Sequence, residues 1–292
     1  MRRPNFFIIG APKCGTTSMA AWLAEHPQVF MSPVKEPHFF NFDYGAREFR
    51  SLRRYESLFD RATKQHRAVG EASTRYLYSR TAVPAIAKYA KNPRFIVMIR
   101  NPVDMVYSLH DETVFTGDED VVEFESAWKL QTVRMYGDRV PRHCTDPQVL
   151  MYGPLCRLGS QIQLLLNTVT RKQLLIIKLE DIQEDARREY LRTLEFLELD
   201  DDGRTHFPAV NRAKRRRLPK IWHTARWVNN ILRDVGFPHI GMGFMAFLNS
   251  RGRQERPRTP MSLAIRSQLN DYFLDDICLL EQLTGLDLAR WK

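Results

Sequence analysis

Three groups of residues in this sequence have the types and spacing to do chemistry. In Gly10-Ala11-Pro12-Lys13-Cys14-Gly15-Thr16-Thr17-Ser18, two glycines stand four residues apart around a lysine, and three hydroxyl residues follow. Glycines so spaced let a tight loop turn its backbone N–H groups inward at an anion. In Lys35-Glu36-Pro37-His38-Phe39-Phe40, a cation, an acid and a base stand in a proline-shaped loop beside aromatics. A carboxylate or an imidazole held that way can take a proton from a hydroxyl. The third group is Arg100, a positive charge that ends an apolar run.

The elements that must position these groups can be read from the pattern around them. Phe6 to Ile9 is a short run of aromatic and β-branched residues, as in a parallel strand covered on both faces, and Gly10 ends it. Thr16, Thr17 and Ser18 then open a helix through Met19, Ala20, Ala21, Trp22 and Leu23. Their hydroxyls, the loop N–H groups and the positive end of the helix dipole converge on one spot, which suits a phosphate. The spacing is close to the Walker A pattern G-x-x-x-x-G-K-[ST], but Thr16 follows Gly15 and the lysine lies inside the loop as Lys13. In a P-loop ATPase the later lysine reaches the β and γ phosphates, and an aspartate at a strand end helps to hold magnesium. Here the apolar runs Phe95 to Ile99 and Leu174 to Ile177 end in Arg100 and Lys178. A phosphate bound without magnesium is the expectation, with no metal site.

Further strands are expected at Val69 to Ser73, Arg94 to Ile99 and Gln173 to Lys178, and helices at Arg47 to Phe59, Ala85 to Ala90, from Pro102 onward, at 124–135, Leu155 to Val169 and 261–283. The acidic segment Asp111 to Glu123 contains Gly117 and reads as a loop, and 136–149 as irregular. Strands separated by helices of this length form βαβ units, which implies an α/β fold with a mainly parallel sheet. Ligands of such sheets bind at the carboxyl ends of the strands, where Gly10, the Glu71 region and Arg100 fall. Beyond Asp200 the composition turns basic and irregular, at 211–217 and 251–258, around an amphipathic helix suggested by Ile221, Ala225, Val228 and Leu232.

With 292 residues, 43% hydrophobic and 27% charged, the chain can bury a large core and is not a disordered one. No apolar stretch approaches the ~20 residues of a membrane span, and the run after Pro4 is too brief for a signal peptide, so a cytoplasmic location is expected. Four cysteines, Cys14, Cys144, Cys156 and Cys278, stand without a C-x-x-C pair and read as reduced thiols rather than a zinc site or a disulfide framework. A net charge of +10 favours an acidic partner.

With these pieces placed, the sequence resembles the sulfotransferases that use 3′-phosphoadenosine 5′-phosphosulfate (PAPS), most closely their carbohydrate-type, heparan sulfate sulfotransferase-like branch. The residues that carry the resemblance are Pro12 to Ser18, Lys35 to Phe40, Arg100-Asn101-Pro102-Val103-Asp104 through Tyr107-Ser108, Glu180-Asp181, and the ending Leu280 to Trp291. It covers 5–110, 150–200 and 262–292, and matches poorly between them. It implies a P-loop-like three-layer fold, a central mainly parallel sheet flanked by helices, in a single domain over 1–292 with a basic irregular segment at about 205–260. It further implies that Lys13, Cys14, Gly15, Thr16, Thr17 and Ser18 hold the 5′ phosphosulfate, and that Arg100 and Ser108 bind the 3′ phosphate, with Arg212 covering it from the far side. Glu36 would be the general base, with His38 as the fallback because imidazole titrates near neutrality. The donor would be PAPS and the product 3′-phosphoadenosine 5′-phosphate (PAP), with a glycan or a small hydroxyl-bearing molecule as acceptor and no nucleic acid as partner.

Two departures stand out. Ala72 follows Glu71 where related sequences often carry a lysine, and Leu158 follows Arg157 where they often carry a tyrosine. Two other readings compete with the first. A nucleotide-dependent kinase would need magnesium ligands that the strand ends do not provide. A nucleic-acid-binding protein would use the arginine runs, which lack a recognition motif.

Overall fold

The computed structural model describes residues 2–45, 47, 49–210, 215–216, 253–254 and 260–292. Arg212 and the helix expected around 221–232 lie outside the described residues. The chain divides into two compact units, one of residues 1–106, 153–211 and 266–292, the other of 107–152 and 212–265.

The first unit is built on a five-stranded sheet of β1 (Phe6–Gly10), β2 (Val29–Met31), β3 (Ala68–Ala72), β4 (Arg94–Ile99) and β5 (Leu174–Lys178), in the order β2-β3-β1-β4-β5. Every pairing is parallel. This is the α/β fold that the alternation of runs predicts. The sequence order of the strands explains their burial: β1 lies between β3 and β4, so Phe6 to Ile9 are fully buried, as are Phe95 to Ile99 of β4. Each such side chain contributes about 1.5–3 kcal/mol when removed from water. Because the sheet grows from β1 in both directions, its switch point falls at the carboxyl end of β1, where open α/β sheets bind ligands.

Helix α1 (Thr16–Ala24) follows β1, α2 (Leu52–Glu56) and α3 (Ala82–Tyr89) flank β3 in sequence, and α4 (Pro102–Thr116) follows β4. The helix read over Arg47 to Phe59 is shorter than its periodicity suggests: it starts only at Leu52 and tightens into a 3₁₀ turn at Ser57–Phe59. The acidic stretch is a correction of the opposite kind. Helix α4 continues through Asp111 and Glu112 to Thr116, and ends where Gly117 takes φ 84° and donates its N–H to the Thr113 carbonyl at 2.9 Å. Charge alone did not break the helix; glycine did.

The second unit contains α5 (Phe124–Lys129) and α6 (Gln131–Arg134) and the antiparallel pair β6 (Arg215–Arg216) and β7 (Arg253–Gln254). Its interior is fixed by a buried ion pair. The Arg134 guanidinium donates to both oxygens of Glu119, at 2.7 Å from Nη2, and Tyr152 donates to Oε2 of the same carboxylate at 2.7 Å.

The helix read over Leu155 to Val169 is split into α7 (Tyr152–Cys156) and α8 (Leu158–Leu166). The start of α8 is capped from outside, by Asp276, which accepts the N–H groups of Gly159 and Ser160 at 2.7 and 2.9 Å. Asp276 lies on the long last helix: after α9 (Leu179–Glu184) and α10 (Ala186–Phe196), α11 (Leu263–Thr284) carries Ile265, Leu269, Phe273, Ile277 and Leu280 at helical spacing, all buried. Among the described residues, no helix is long and apolar enough to cross a membrane.

Candidate active site

The loop from β1 to α1 has the conformation its glycines suggest. Lys13 (φ 64°) and Gly15 (φ 86°) take left-handed backbone angles, and the Gly15 carbonyl accepts from the N–H groups of Ser18 and Met19 at 3.0 and 3.2 Å. A Cβ on Gly15 would sit 2.9 Å from Leu179 Cδ1, and one on Gly10 would sit 2.7 Å from Leu77 Cβ and 3.1 Å from the Thr74 carbonyl. The loop is thus wrapped so closely that only glycine fits its two corners. The first turn of α1 carries no acidic residue. N–H groups at a helix start have no carbonyl one turn back to bond, so this end fits an anion.

Cys14 faces the other way. Its buried thiol lies 3.4 Å from the Pro12 carbonyl and 3.9 Å from Met105 Sδ, and burial pushes it far above the usual thiol range. Its side chain is packing, which leaves only its backbone to the loop. Thr16 is buried at the helix start, and Ser18 Oγ accepts the Val210 N–H at 3.1 Å.

Arg100 follows β4 directly and reaches across to the same loop, its Nη1 3.5 Å from the Lys13 carbonyl. Asn101 is fixed on both sides: its N–H donates to Glu180 Oε1 at 3.1 Å, and its Oδ1 accepts the Val103 N–H at 2.9 Å at the start of α4. Lys178, at the end of β5, pairs with Asp181 at 3.3 Å. The described residues contain no group of three or more acidic, histidine or cysteine side chains arranged to hold a metal ion.

On the other side of β1, the loop after β2 brings Glu36 to the carboxyl end of β3. Its N–H donates to the Ala72 carbonyl at 2.9 Å, and its carboxylate accepts the Thr74 N–H at 2.8 Å. The Lys35 ammonium sits on Oε1, and His38 Nε2 lies 3.2 Å from Oε2. Glu36 and His38, at φ 59° and 49°, both adopt a left-handed backbone that costs a non-glycine residue about 1–3 kcal/mol. Burial alone would raise the Glu36 carboxyl, but the charges of Lys35 and His38 and the bonds from Lys35 and Thr74 hold it below the usual carboxylate range.

His38 differs from the expectation that its imidazole titrates near neutrality. Burial pulls it down to about 4 against the opposing pull of Glu36, with Arg75 and Lys35 adding to the depression. It is therefore neutral at physiological pH.

Beneath this loop is a hydrogen-bond network that the sequence reading, which placed the Glu71 region only at a strand end, did not foresee. Glu71, fully buried in β3, accepts from Tyr55 at 2.7 Å, Tyr76 at 3.0 Å and Ser73 at 2.7 Å. The signal was present: an acid in the middle of a short strand, with tyrosines on both flanks, must be paired if the strand is buried.

The loop residues Lys13 to Ser18 and Arg100 come together at one end of the sheet, and Glu36 and His38 form a second cluster joined to it through Thr74, whose carbonyl borders Gly10 and whose N–H holds Glu36. Ser108 is buried on α4, within the second unit. The arrangement can hold a doubly anionic ligand against Lys13 and Arg100 and can offer a carboxylate to a proton.

The sulfotransferase domain family model matches residues 3–208. Carbohydrate sulfotransferase 15 of Homo sapiens is 26% identical over 294 aligned residues, which cover 80% of this chain and 52% of that protein. Heparan sulfate glucosamine 3-O-sulfotransferase 3B1 of Mus musculus is 32% identical over 123 residues, 42% of this chain and 30% of that protein. The chain thus spans about half the length, or less, of the curated relatives it matches. Among solved structures, a sulfotransferase from Alicyclobacillus acidocaldarius superposes with a TM-score of 0.74 at 23% identity, over 100% of this chain and 99% of that one. That likeness shows a shared fold.

Proposed function

The chain belongs to the sulfotransferase family, and from that premise we propose that it transfers a sulfuryl group from PAPS to an acceptor hydroxyl, with a carbohydrate as the acceptor class that the names of its relatives favour. The observation that carries the proposal is the place of Thr74, whose N–H and hydroxyl hold the Glu36 carboxylate while its carbonyl stands close against Gly10 at the start of the Lys13 loop.

PAPS, when bound, supplies an activated sulfuryl group whose transfer leaves PAP. In the proposed division of labour, Lys13 and the N–H groups of Gly15 to Thr17 bind the 5′ phosphosulfate and stabilise the charge that grows on the phosphate as the S–O bond breaks. Thr16 and Ser18 add hydroxyls. Arg100 takes the 3′ phosphate, the group that separates this donor from ATP. Glu36 accepts the proton as the acceptor oxygen bonds to sulfur. Its depressed pKa keeps it ionised and ready across the neutral range, and the neutral His38 beside it holds the carboxylate without competing for charge. Transfer of this loose, in-line kind is promoted mostly by positioning and electrostatics.

Incubation of the purified protein with ³⁵S-labelled PAPS and a panel of glycans, small alcohols and phenols tests the reading. Label on a hydroxyl acceptor, together with PAP bound in preference to ATP plus magnesium, is the expected result. ATP bound equally well, with no sulfated product from any acceptor, would overturn it.

A further inference from the structure

The loop that carries Glu36 and His38 is tied down by hydrogen bonds that converge on a single buried group. The N–H of His38 donates to Ser73 Oγ at 3.1 Å, and the N–H groups of Phe39 and Phe40 donate to Tyr76 Oη at 2.9 and 3.3 Å. Three successive backbone donors thus end on two hydroxyls. Each hydroxyl has one proton, and both send it to Glu71, Ser73 to Oε2 at 2.7 Å and Tyr76 to Oε1 at 3.0 Å. Tyr55 fills the remaining place on Oε1 at 2.7 Å.

This pattern has a direction. A hydroxyl that receives an N–H must point its own proton elsewhere, and here that acceptor is the carboxylate. All three bonds require Glu71 to accept at both oxygens. A carboxylic acid or an amide would have to donate from one of them, against a hydroxyl whose proton already points at it. The hydroxyl it faces would then have to turn its own proton away from the only acceptor the network offers, and would lose the bond that orients it for the loop N–H groups it receives.

Resting on the proposed sulfuryl-transfer reading, we infer that Glu71 is a positioning residue of the reaction: its ionised carboxylate orients Ser73 and Tyr76, and through them fixes the backbone that sets Glu36 and His38. It touches neither donor nor acceptor. Its effect belongs in kcat, because the bonds it organises end on the backbone of the loop that carries Glu36 and His38. The left-handed backbone at Glu36 and His38 gives the network a load to carry, since a loop released from these bonds relaxes toward ordinary angles.

The test compares Glu71→Gln, Ser73→Ala, Tyr76→Phe and Tyr55→Phe. Glu71→Gln, Ser73→Ala and Tyr76→Phe each break the path from carboxylate to loop and should lower kcat about 10- to 100-fold, with KM for PAPS changed less than about twofold. Tyr55→Phe removes a bond of the same length but carries no loop N–H and keeps the ring against Phe39, so its kcat, measured on the alkaline side where Glu71 stays ionised, should stay within about twofold of wild type. The second readout needs no turnover: an NMR titration of the His38 ring. Freed of its buried seat, His38 should titrate closer to the ordinary 6.5 in the first three variants and stay depressed in Tyr55→Phe.

A lowered melting temperature with kcat and the His38 titration both unmoved would make Glu71 a structural residue only and overturn the inference. If Glu71→Gln does not fold, the single-oxygen deletions at Ser73 and Tyr76 decide it by the same measurements. If the wild-type protein fails to transfer sulfate, the functional reading falls, while the His38 titration still decides whether Glu71 holds the loop.

Discussion

Glu36 and Thr74 are joined by the Thr74 N–H, which donates to Glu36 Oε2 at 2.8 Å, and by the Thr74 hydroxyl, 3.3 and 3.2 Å from Oε1 and Oε2, while the Thr74 carbonyl lies against Gly10 on its other side. A single residue therefore couples the proposed base to the phosphate loop. In a reaction controlled by alignment, that coupling sets how far the base stands from the bond that breaks.

Removing the base should be costly and separable from folding. Glu36→Gln keeps the shape and the bond from Thr74 but cannot take a proton, so kcat should fall about 100- to 10,000-fold with donor binding retained. Initial rates and a PAP titration on the same preparation check this. Wild-type kcat in Glu36→Gln would remove Glu36 from the mechanism.

The two proposed anion contacts should fail differently. Lys13→Ala removes charge from the leaving group and should cost roughly 100- to 1,000-fold in kcat. Arg100→Ala should mainly weaken PAP, bringing its affinity toward that for adenosine 5′-phosphate, which lacks the 3′ group. Calorimetric titration with both nucleotides reads the difference. Ser108→Ala in the same assay reads the part that the sequence resemblance assigns to it.

Much of this was legible in the sequence because it depends on local pattern. The run Phe6 to Ile9 with Gly10 and Gly15 gave strand, turn and helix in order, and Arg100 at the end of β4 is where an apolar run closed by a cation implies. The depressed titration of His38 was not legible, because its cause is burial beside Glu36 and Arg75, which only the folded chain brings together. Nor was the split between α7 and α8, whose cause is an aspartate more than a hundred positions away in sequence. Contacts between distant segments leave no periodic trace, and the hydrogen bonds around Glu71 are of the same kind.

Gly15 tests the loop itself. Its φ of 86°, and the 2.9 Å that would separate a Cβ at this position from Leu179 Cδ1, mean that Gly15→Ala meets both backbone strain and a clash. A loss of about 1–3 kcal/mol is expected from the strain alone. Chemical denaturation should show it, and PAP should protect the variant less than it protects the wild type.

The second unit offers a prediction independent of catalysis. Arg134 and Glu119 form a pair from which water is excluded on both sides, with side-chain exposure of 0% for each. Arg134→Met leaves the Glu119 carboxylate buried with only neutral donors, a change that typically costs about 3–5 kcal/mol. Arg134→Met with Glu119→Leu removes both charges and should recover much of that loss. A double-mutant comparison of melting temperatures distinguishes a pair retained for its charge balance from one that contributes little.

Glu71 should make stability and activity respond oppositely to pH. Burial pushes its carboxyl up to about 7, against the opposing bonds from Ser73, Tyr55 and Tyr76 and with the nearby charge of Glu36 adding to the rise; Tyr89 faces it from α3. In the unfolded chain the same group titrates near 4.5. Between those values the folded protein binds more protons at this site than the unfolded chain does, so the contribution of Glu71 to stability grows as pH falls from 7 toward 4.5 and is lost as pH rises through 7. The hydrogen-bond directions ask for the ionised form, so kcat should move the other way and decline on the acid side of about 7. Glu36, held below the usual carboxylate range, and His38, pulled down to about 4, titrate too low to produce that limb. Glu71→Gln cannot titrate, so subtracting its melting temperatures from those of the wild type across pH 4.5–8 isolates the stability effect, and its pH–rate profile should lack the limb near 7. A limb of unchanged position in Glu71→Gln would assign it to another group.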